Sequence, residues 1–549
     1  MDTVWSGIFL VGIGTIGLFW IIPTFFVRVS LDPIYNAISI VLISLGVAGI
    51  VVYYFLYKNE RTQILGGLIS LRDSGLKVFL ERYEVLLYGR DAGELPRISG
   101  LAFNHKALAI VQPANLEELR RIIVFCNKFR IPIIPRASGT SGYGGVIPIV
   151  SGVIVSLREF NRILMINKEE KAVEVESGVV WARMIHKLEQ EGLTLECYPS
   201  SSLSSMVGGW IAQGGYGIGS SKYGNIKNSV LSVTLIDSKG EEVIFHEPED
   251  VVGSYGTLGF ILRIKLKVLT KDNMNHLAFT AKQETVLFQA AQAFQSLSPY
   301  FLRYVDQRNL KPLSQSQFGF IPEDHKPLGG GILSITFRGE NENPARIEEI
   351  VQNYNLVQLS EAWATELWKD RFYTLRMKRR GPSLIIAEVN VPTHALVEFL
   401  ESLNRQFGPN RFTKEFITNM GDQTTVMLWF LEDIRKAILP RLGSLTYMFR
   451  SLRPYIVFQI ARSFGGQAYS TGLWFSPYSK SVLGPSLARF SDLKKQLDPY
   501  RLFNPGKIWA PYFPRFFPII PFSVVVRLFI PILSFLHRIL PQKLKRAIF

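Results

Sequence analysis

The chain has 549 residues, enough for two or three domains, and 47% of them are apolar, more than a soluble core of that size needs. Its formal charge is +16, yet the basic residues form no stripe interleaved with aromatics, which argues against nucleic acid and for anionic lipid as the partner. Cys126 and Cys197 lie in apolar stretches without ligand spacing, so neither a disulfide framework nor a zinc site organises the fold, and no metal is expected.

The apolar excess begins at the N-terminus. Val4 to Val27 and Pro33 to Tyr57 carry no charged side chain, and each exceeds the about 20 residues that cross a bilayer as a helix. They predict a transmembrane hairpin over 1–60. A cleaved signal peptide competes with that reading, but a basic n-region is missing and the second stretch follows at once. Arg28 and Asp32 alone are charged between the spans, whereas Lys58, Arg61, Arg72 and Lys77 follow them. That bias places the N-terminus and the main body in the cytoplasm. A connector is expected over 61–100.

A mixed α/β domain is expected over 101–271. Asn115 starts an amphipathic helix with Glu117 and Glu118 in its first turn. Strand-like runs fall at Ala107 to Val111, Ile131 to Ile134, Val153 to Leu157 and Ala172 to Val175, with a helix from Val180 to Glu191. Three glycine-rich loops accompany these elements. The first, Pro135-Arg-Ala-Ser-Gly-Thr-Ser-Gly-Tyr-Gly-Gly145, follows a strand; the second is Ser204 to Gly219, before the run Val230 to Ile236; the third is Gly253-Ser-Tyr-Gly-Thr-Leu-Gly259, before Phe260 to Val268. Glycines let a backbone approach a ligand, and successive amides in such turns make a concavity for phosphate oxygens. By itself the first loop reads equally well as a plain turn, since it fits neither common nucleotide signature.

From 272 to 460 strands (Gly331 to Phe337, Ser383 to Val389, Thr425 to Leu431) alternate with helical runs (Glu284 to Phe294, Ala345 to Tyr354, Ala395 to Phe407), which predicts an α+β second domain. The stretch 513–549 mixes Phe, Ile, Leu and Pro with Arg515, Arg527, Arg538, Lys543, Lys545 and Arg546. It predicts an amphipathic helix lying in an anionic membrane surface; the alternative is an apolar tail packed on the body.

With three glycine loops in this order, Ala107 to Thr270 resembles the FAD-binding domain of the vanillyl-alcohol oxidase and p-cresol methylhydroxylase superfamily. Supporting marks are Glu176-Ser-Gly before a helix, Ser221-Lys-Tyr-Gly-Asn, and Leu497-Asp-Pro-Tyr-Arg-Leu-Phe-Asn-Pro-Gly-Lys507, which looks like that superfamily's return to the flavin domain, here over 461–512. The resemblance implies an α+β fold: a two-part FAD-binding domain of p-cresol methylhydroxylase type plus a cap. It assigns FAD to Pro135, Arg136, Ala137, Ser138, Gly139, Thr140, Ser141 and Gly142, and to Ser204, Met206, Val207, Gly208, Gly209, Ala212, Gly215, Tyr216 and Gly217. Gly256, Gly259, Ile261 and Asn504 complete the set. Some members hold flavin covalently through a histidine in the first loop; Thr140 stands at that position, so the resemblance implies dissociable FAD.

The second domain looks most like the cap of D-lactate and glycolate dehydrogenases, through Leu367-Trp-Lys-Asp-Arg371 and Glu388-Val-Asn-Val-Pro392. That likeness offers Arg371, Arg376 and Lys378, beside Arg379, to a substrate carboxylate, because a guanidinium fork binds one bidentately; a solvated helix face is the plainer reading. The sequence departs from those enzymes where they carry histidines: Asn419-Met-Gly-Asp-Gln-Thr-Thr keeps Gly421 and Asp422 alone, and Gly465 to Gly472 replaces a Glu-His-Gly segment. Tyr469 and Glu388 are the candidate acid/base substitutes, with Arg371 the third candidate catalytic residue. Three functions compete. The first oxidises a small D-2-hydroxy acid and passes electrons to a membrane quinone or other carrier. The second acts on a lipid-soluble substrate, as sterol side-chain reductases and polyprenyl-sugar oxidases do. The third is a non-catalytic flavin-binding scaffold. Unfolding the purified protein should release flavin into the supernatant; flavin retained in the protein pellet contradicts the non-covalent reading.

Overall fold

The computed structural model describes residues 59–93, 106–314, 327–339, 343–373, 383–432 and 450–510, with Ser44 and scattered positions from 512 to 535. The hairpin expected over 1–60 lies almost wholly outside the described residues, as do Arg376, Lys378 and Arg379. Among the described residues no helix is long and apolar enough to cross a membrane. Residues 1–78 and 79–549 are separate compact units. The first shows a helix over 59–73; the second contains the sheets described below.

Ala109–Gln112, Val153–Ser156 and Ile133–Arg136 run parallel, with Val153 opposite both Ala109 and Ile133. Parallel neighbours need a crossover, and the helix Leu116–Lys128 supplies one. It begins as its sequence predicts: Asn115 accepts from the Glu118 N–H at 2.9 Å, and Glu118 accepts from the Ala114 N–H at 2.8 Å. Leu119, Ile122, Ile123 and Cys126 form its buried face.

A second sheet is antiparallel, in the order Ile163–Asn167, Ala172–Glu176, Phe260–Thr270, Val230–Ile236, Glu242–Phe245, with Leu193–Leu195 added to Phe260–Thr270. The helix Trp181–Gln190 buries Trp181, Met184 and Leu188 in the same core. The second glycine segment differs from expectation, because Val207–Gln213 inside it is helical. Gly208 and Gly209 are there for packing. A Cβ on Gly208 would sit 2.5 Å from Ser177 Cβ, and one on Gly209 would sit 2.8 Å from Ala137 Cβ. Close approach therefore overrides glycine's poor helix propensity.

The third sheet has eight antiparallel strands, ordered Val357–Gln358, Met274–Thr280, Ile332–Arg338, Phe301–Val305, Thr413–Asn419, Gln423–Glu432, Ser383–Val391, Gln467–Ala468. Helices Glu284–Gln295, Leu396–Phe407 and Arg453–Ser463 contribute Phe288, Phe294, Phe399 and Phe458 to its core. Phe301–Val305 and Thr413–Asn419 escape sequence reading because charges interrupt their apolar runs. Arg303, 3% exposed, donates to Glu415 at 2.9 and 2.6 Å and to Asp370 at 3.2 Å, while Lys414 meets Glu284 at 2.7 Å. Such pairing is what makes a buried charge tolerable.

After the helix Ser486–Leu497 the chain turns on Asp498. Its carboxylate accepts from the Leu502 and Phe503 N–H groups at 3.0 and 2.8 Å and from Lys494 Nζ. The extended segment then joins the first sheet: the Ile133 N–H donates to Leu502 O at 2.8 Å and the Asn504 N–H to Ile133 O at 2.7 Å. The expected return to the first domain is thus a parallel pairing with strand Ile133–Arg136.

The tail expected as a surface helix over 513–549 starts as strand, while its described residues between 523 and 535 are helical and most of the remainder lies outside the described residues. Tyr512–Phe513 pairs antiparallel with Phe517–Pro521, where Pro518 and Pro521 oppose a helix. Val526 is buried in the core of the third sheet, and Arg527 Nη2 donates to Pro477 O at 2.8 Å. Val524, Leu528, Ile532 and Phe535 are exposed. The start of the tail therefore packs on the body, while an apolar face remains in solvent.

Candidate active site

One cavity of about 540 Å³ is bounded by all three glycine loops and by the third sheet. The first loop leaves the end of Ile133–Arg136 and turns at Gly139 (φ 70°) and Gly144 (φ 75°), left-handed positions that suit glycine. Among the described residues no acceptor takes the main-chain N–H groups of Ser138 to Gly142. The buried hydroxyls of Ser138, Ser177 and Ser205, all on the cavity wall, have no hydrogen-bond partner there either. Buried polar groups are normally paired. Donors without partners, lying where Gly208 and Gly209 leave no side-chain bulk, fit the phosphates and ribityl hydroxyls of a dinucleotide.

Of the residues assigned to FAD, Pro135 through Gly142, Met206, Gly208, Gly209, Ala212, Tyr216, Gly217, Gly256, Gly259 and Ile261 line this cavity. Ser204 is exposed on the adjoining turn, and Val207 is buried behind it. Gly215 makes room instead of contact: a Cβ there would lie 2.2 Å from Tyr469 Oη. Asn504 acts from behind, donating to Gly145 O at 2.9 Å and to Tyr255 O at 2.6 Å, so that it ties the first loop to the third.

Glu388, on strand Ser383–Val391, reaches the opposite wall. Tyr143 Oη of the first loop donates to its Oε2 at 2.6 Å. Burial pushes the carboxyl up to about 7, with the tyrosine hydrogen bond opposing the shift, and burial together with the Glu388 charge holds the Tyr143 hydroxyl well above its ordinary range. Glu388 can therefore change protonation near neutrality while Tyr143 stays a donor. Tyr469 is placed differently: its hydroxyl donates to Tyr216 O at 2.9 Å and accepts from the Tyr216 N–H at 3.1 Å, which commits it to the second loop. Tyr143 went unselected in the sequence because nothing local marks it; its partner lies 245 residues away.

Arg371 follows the helix Glu361–Asp370 and also lines the cavity. Its guanidinium lies 3.8 Å from the Trp368 ring centre and 4.0 Å from that of Phe372. Nη1 donates to Trp368 O at 2.6 Å and Nε to Tyr198 Oη at 3.3 Å, which leaves Nη2 without an acceptor among the described residues. Arg303 reaches the wall as well, but Glu415 and Asp370 already neutralise it. Gly421 and Asp422 lie at the exposed turn between Thr413–Asn419 and Gln423–Glu432, where Asp422 meets His394. On the cavity side of that hairpin, Asn419 donates to Thr425 at 2.9 Å and Thr425 to Asn390 at 2.7 Å.

Comparison with known proteins agrees with this geometry. The model of the FAD binding domain matches residues 107–245, and that of the FAD linked oxidases, C-terminal domain, matches 272–508. Glycolate oxidase subunit GlcD of Bacillus subtilis is 25% identical over 433 residues, 73% of this chain and 89% of its own. D-lactate dehydrogenase of Anaerostipes hadrus is 25% identical over 451 residues, 74% and 92% respectively. The structure of p-cresol methylhydroxylase with substrate bound shares the fold, with a TM-score of 0.65 at 15% identity over 82% of this chain and 97% of that one.

A rate that depends on the Glu388 carboxylate should rise with pH through about 7 and then level off. Glu388→Gln should remove that limb and lower the rate about 10²–10⁴-fold; an unchanged pH profile in E388Q would take Glu388 out of proton transfer. Stability runs the other way. The folded-state value lies above the ordinary 4.5, so this group's contribution is full below that pH and is lost as pH rises through about 7.

Proposed function

The chain is an FAD-dependent oxidoreductase built from an FAD binding domain and the C-terminal domain of FAD linked oxidases, and from that premise we propose that it oxidises a small D-2-hydroxy acid. One observation carries the reading: the guanidinium of Arg371, whose Nη2 has no acceptor among the described residues, and the carboxyl of Glu388, raised by burial to about 7, line the same cavity. A 2-hydroxy acid offers a carboxylate to the first and a hydroxyl proton to the second. The similar D-lactate dehydrogenase and glycolate oxidase subunit support this substrate class.

FAD supplies the acceptor for the hydride that leaves the substrate's C2. Arg371 orients the acid through its carboxylate, and its aromatic neighbours hold the guanidinium in place. Glu388 takes the hydroxyl proton, and Tyr143 stabilises the carboxylate form that must receive it. Tyr469 fixes the second loop through Tyr216, a positioning role. Thr140, standing where a flavin-linking histidine would be, favours FAD held without a covalent bond.

A second reading rests on the cavity's apolar end, where Ile385, Ile386, Leu452, Pro454, Tyr455 and Val526 form the wall. It suits a lipid-soluble substrate or an acceptor such as a quinone. Membrane association fits either reading. The charge-free stretches Val4 to Val27 and Pro33 to Tyr57 support two spans with a cytoplasmic body, and the exposed apolar side chains Leu528, Ile532 and Phe535 in a tail without acidic residues support a contact with anionic lipid.

Anaerobic addition of a D-2-hydroxy acid should bleach the bound flavin. Arg371→Lys should raise the half-saturating concentration about tenfold or more, since lysine lacks the planar fork. If no such acid bleaches the flavin but a detergent extract of membranes does, the lipid reading replaces the acid one. Protein beginning at residue 59 should still sediment with anionic vesicles, and loss of residues 522–549 should weaken that binding; equal binding of both forms would remove the tail from the membrane contact.

A further inference from the structure

The phosphate-type loop is gripped from outside by a segment that neither matched domain includes. The helix Arg82–Tyr88 ends at Gly89, and the following residues run along the loop instead of linking elements passively. Arg136 Nη1, at the start of the loop, donates to the carbonyls of Tyr88 and Arg90, both at 2.8 Å. In its middle, Ser141 O accepts from the Ala92 N–H at 3.0 Å. At its end the Gly144 N–H donates to Asp91 Oδ2 at 2.7 Å, while Asp91 Oδ1 accepts from the Gly93 N–H at 3.0 Å. Gly93 lies so close that a Cβ on it would meet Gly142 O at 2.7 Å. Ala92 and Gly93 also reach the cavity wall.

An acidic side chain next to a phosphate loop would repel the ligand unless it were neutralised. Burial raises the Asp91 carboxyl to about 6, opposed by the Gly144 and Gly93 N–H groups and less strongly by Lys507 and Arg136. Lys507 is itself wholly buried and donates to Ile147 O, just beyond the loop. The Asp91 carboxyl is thus turned onto two main-chain amides, those of Gly144 and Gly93. Gly139 and Gly144 are glycines at positive φ, and a turn so free in its backbone needs external anchors to keep one shape.

We propose that residues 88–93 form a strap that holds the FAD pyrophosphate loop in its binding shape, with Asp91 as the positioning residue and Gly93 as the point of closest approach. The strap extends the cofactor site beyond the two matched domains. The inference rests on FAD binding and not on the acid substrate, so it stands or falls independently of the substrate reading.

The test is FAD affinity of the full-length apoprotein, read from quenching of flavin fluorescence, beside the melting temperature of the same apoprotein. Asp91→Ala should raise the Kd for FAD about tenfold or more, the size of one lost charge-assisted hydrogen bond. Asp91→Asn, which keeps an acceptor for the Gly144 N–H, should restore most of the affinity. Gly93→Ala should weaken FAD without touching a charge, and it supplies the readout if D91A does not fold. Apoprotein melting should stay close to wild type in these variants. A Kd within about twofold of wild type in both D91A and G93A, or an affinity loss that only mirrors a loss of apoprotein stability, overturns the proposal.

Discussion

The hydrogen bond from Tyr143 Oη to Glu388 Oε2 joins the first glycine loop to the third sheet across the cavity. Tyr143 belongs to the first glycine loop; Glu388 belongs to the sheet that forms the opposite wall of the cavity. At 2.6 Å the contact is short enough to fix both. It also sets the chemistry. A carboxyl recessed in a cavity wall drifts toward its neutral form, and one phenolic donor pulls it part of the way back, to about 7.

The same tension between burial and charge recurs through the molecule, and each case is resolved by an oppositely charged partner. Arg303 is satisfied by Glu415 and Asp370, Lys414 by Glu284, and Lys494 by Asp498. Two of these sets tie the third sheet to its neighbouring helices, and the last anchors the return of the chain to the first sheet. Removing one partner of a buried pair costs about 3–5 kcal/mol because the other charge is left stranded. Against this background Arg371 stands out, since among the described residues its Nη2 has no acceptor and its side chain lines the cavity.

Much of the first domain was legible in the sequence because local signals and tertiary structure agree there. The Asn115 cap, the apolar face of its helix and the runs Val230 to Ile236 and Phe260 to Val268 appear where patterning puts them. The glycine loops were legible as loops around a ligand, yet Val207–Gln213 was not legible as a helix, because its glycines serve contacts with Ser177 and Ala137 that only the folded chain reveals. The strands carrying Arg303 and Glu415 were hidden by their charges. In the site, Glu388 and Arg371 could be picked out by family likeness, whereas Tyr143 and Asp91 act through partners 245 and 53 residues away.

The central claim is that hydride and proton leave a 2-hydroxy acid in this cavity, the proton going to Glu388. Stopped-flow reduction of the bound flavin by a D-2-hydroxy acid deuterated at C2 measures the first half of that claim directly. The account predicts that the deuterated acid bleaches the flavin several-fold more slowly than the protonated one at saturating concentration. Reduction at equal rates, or an absence of reduction by any such acid, would contradict it.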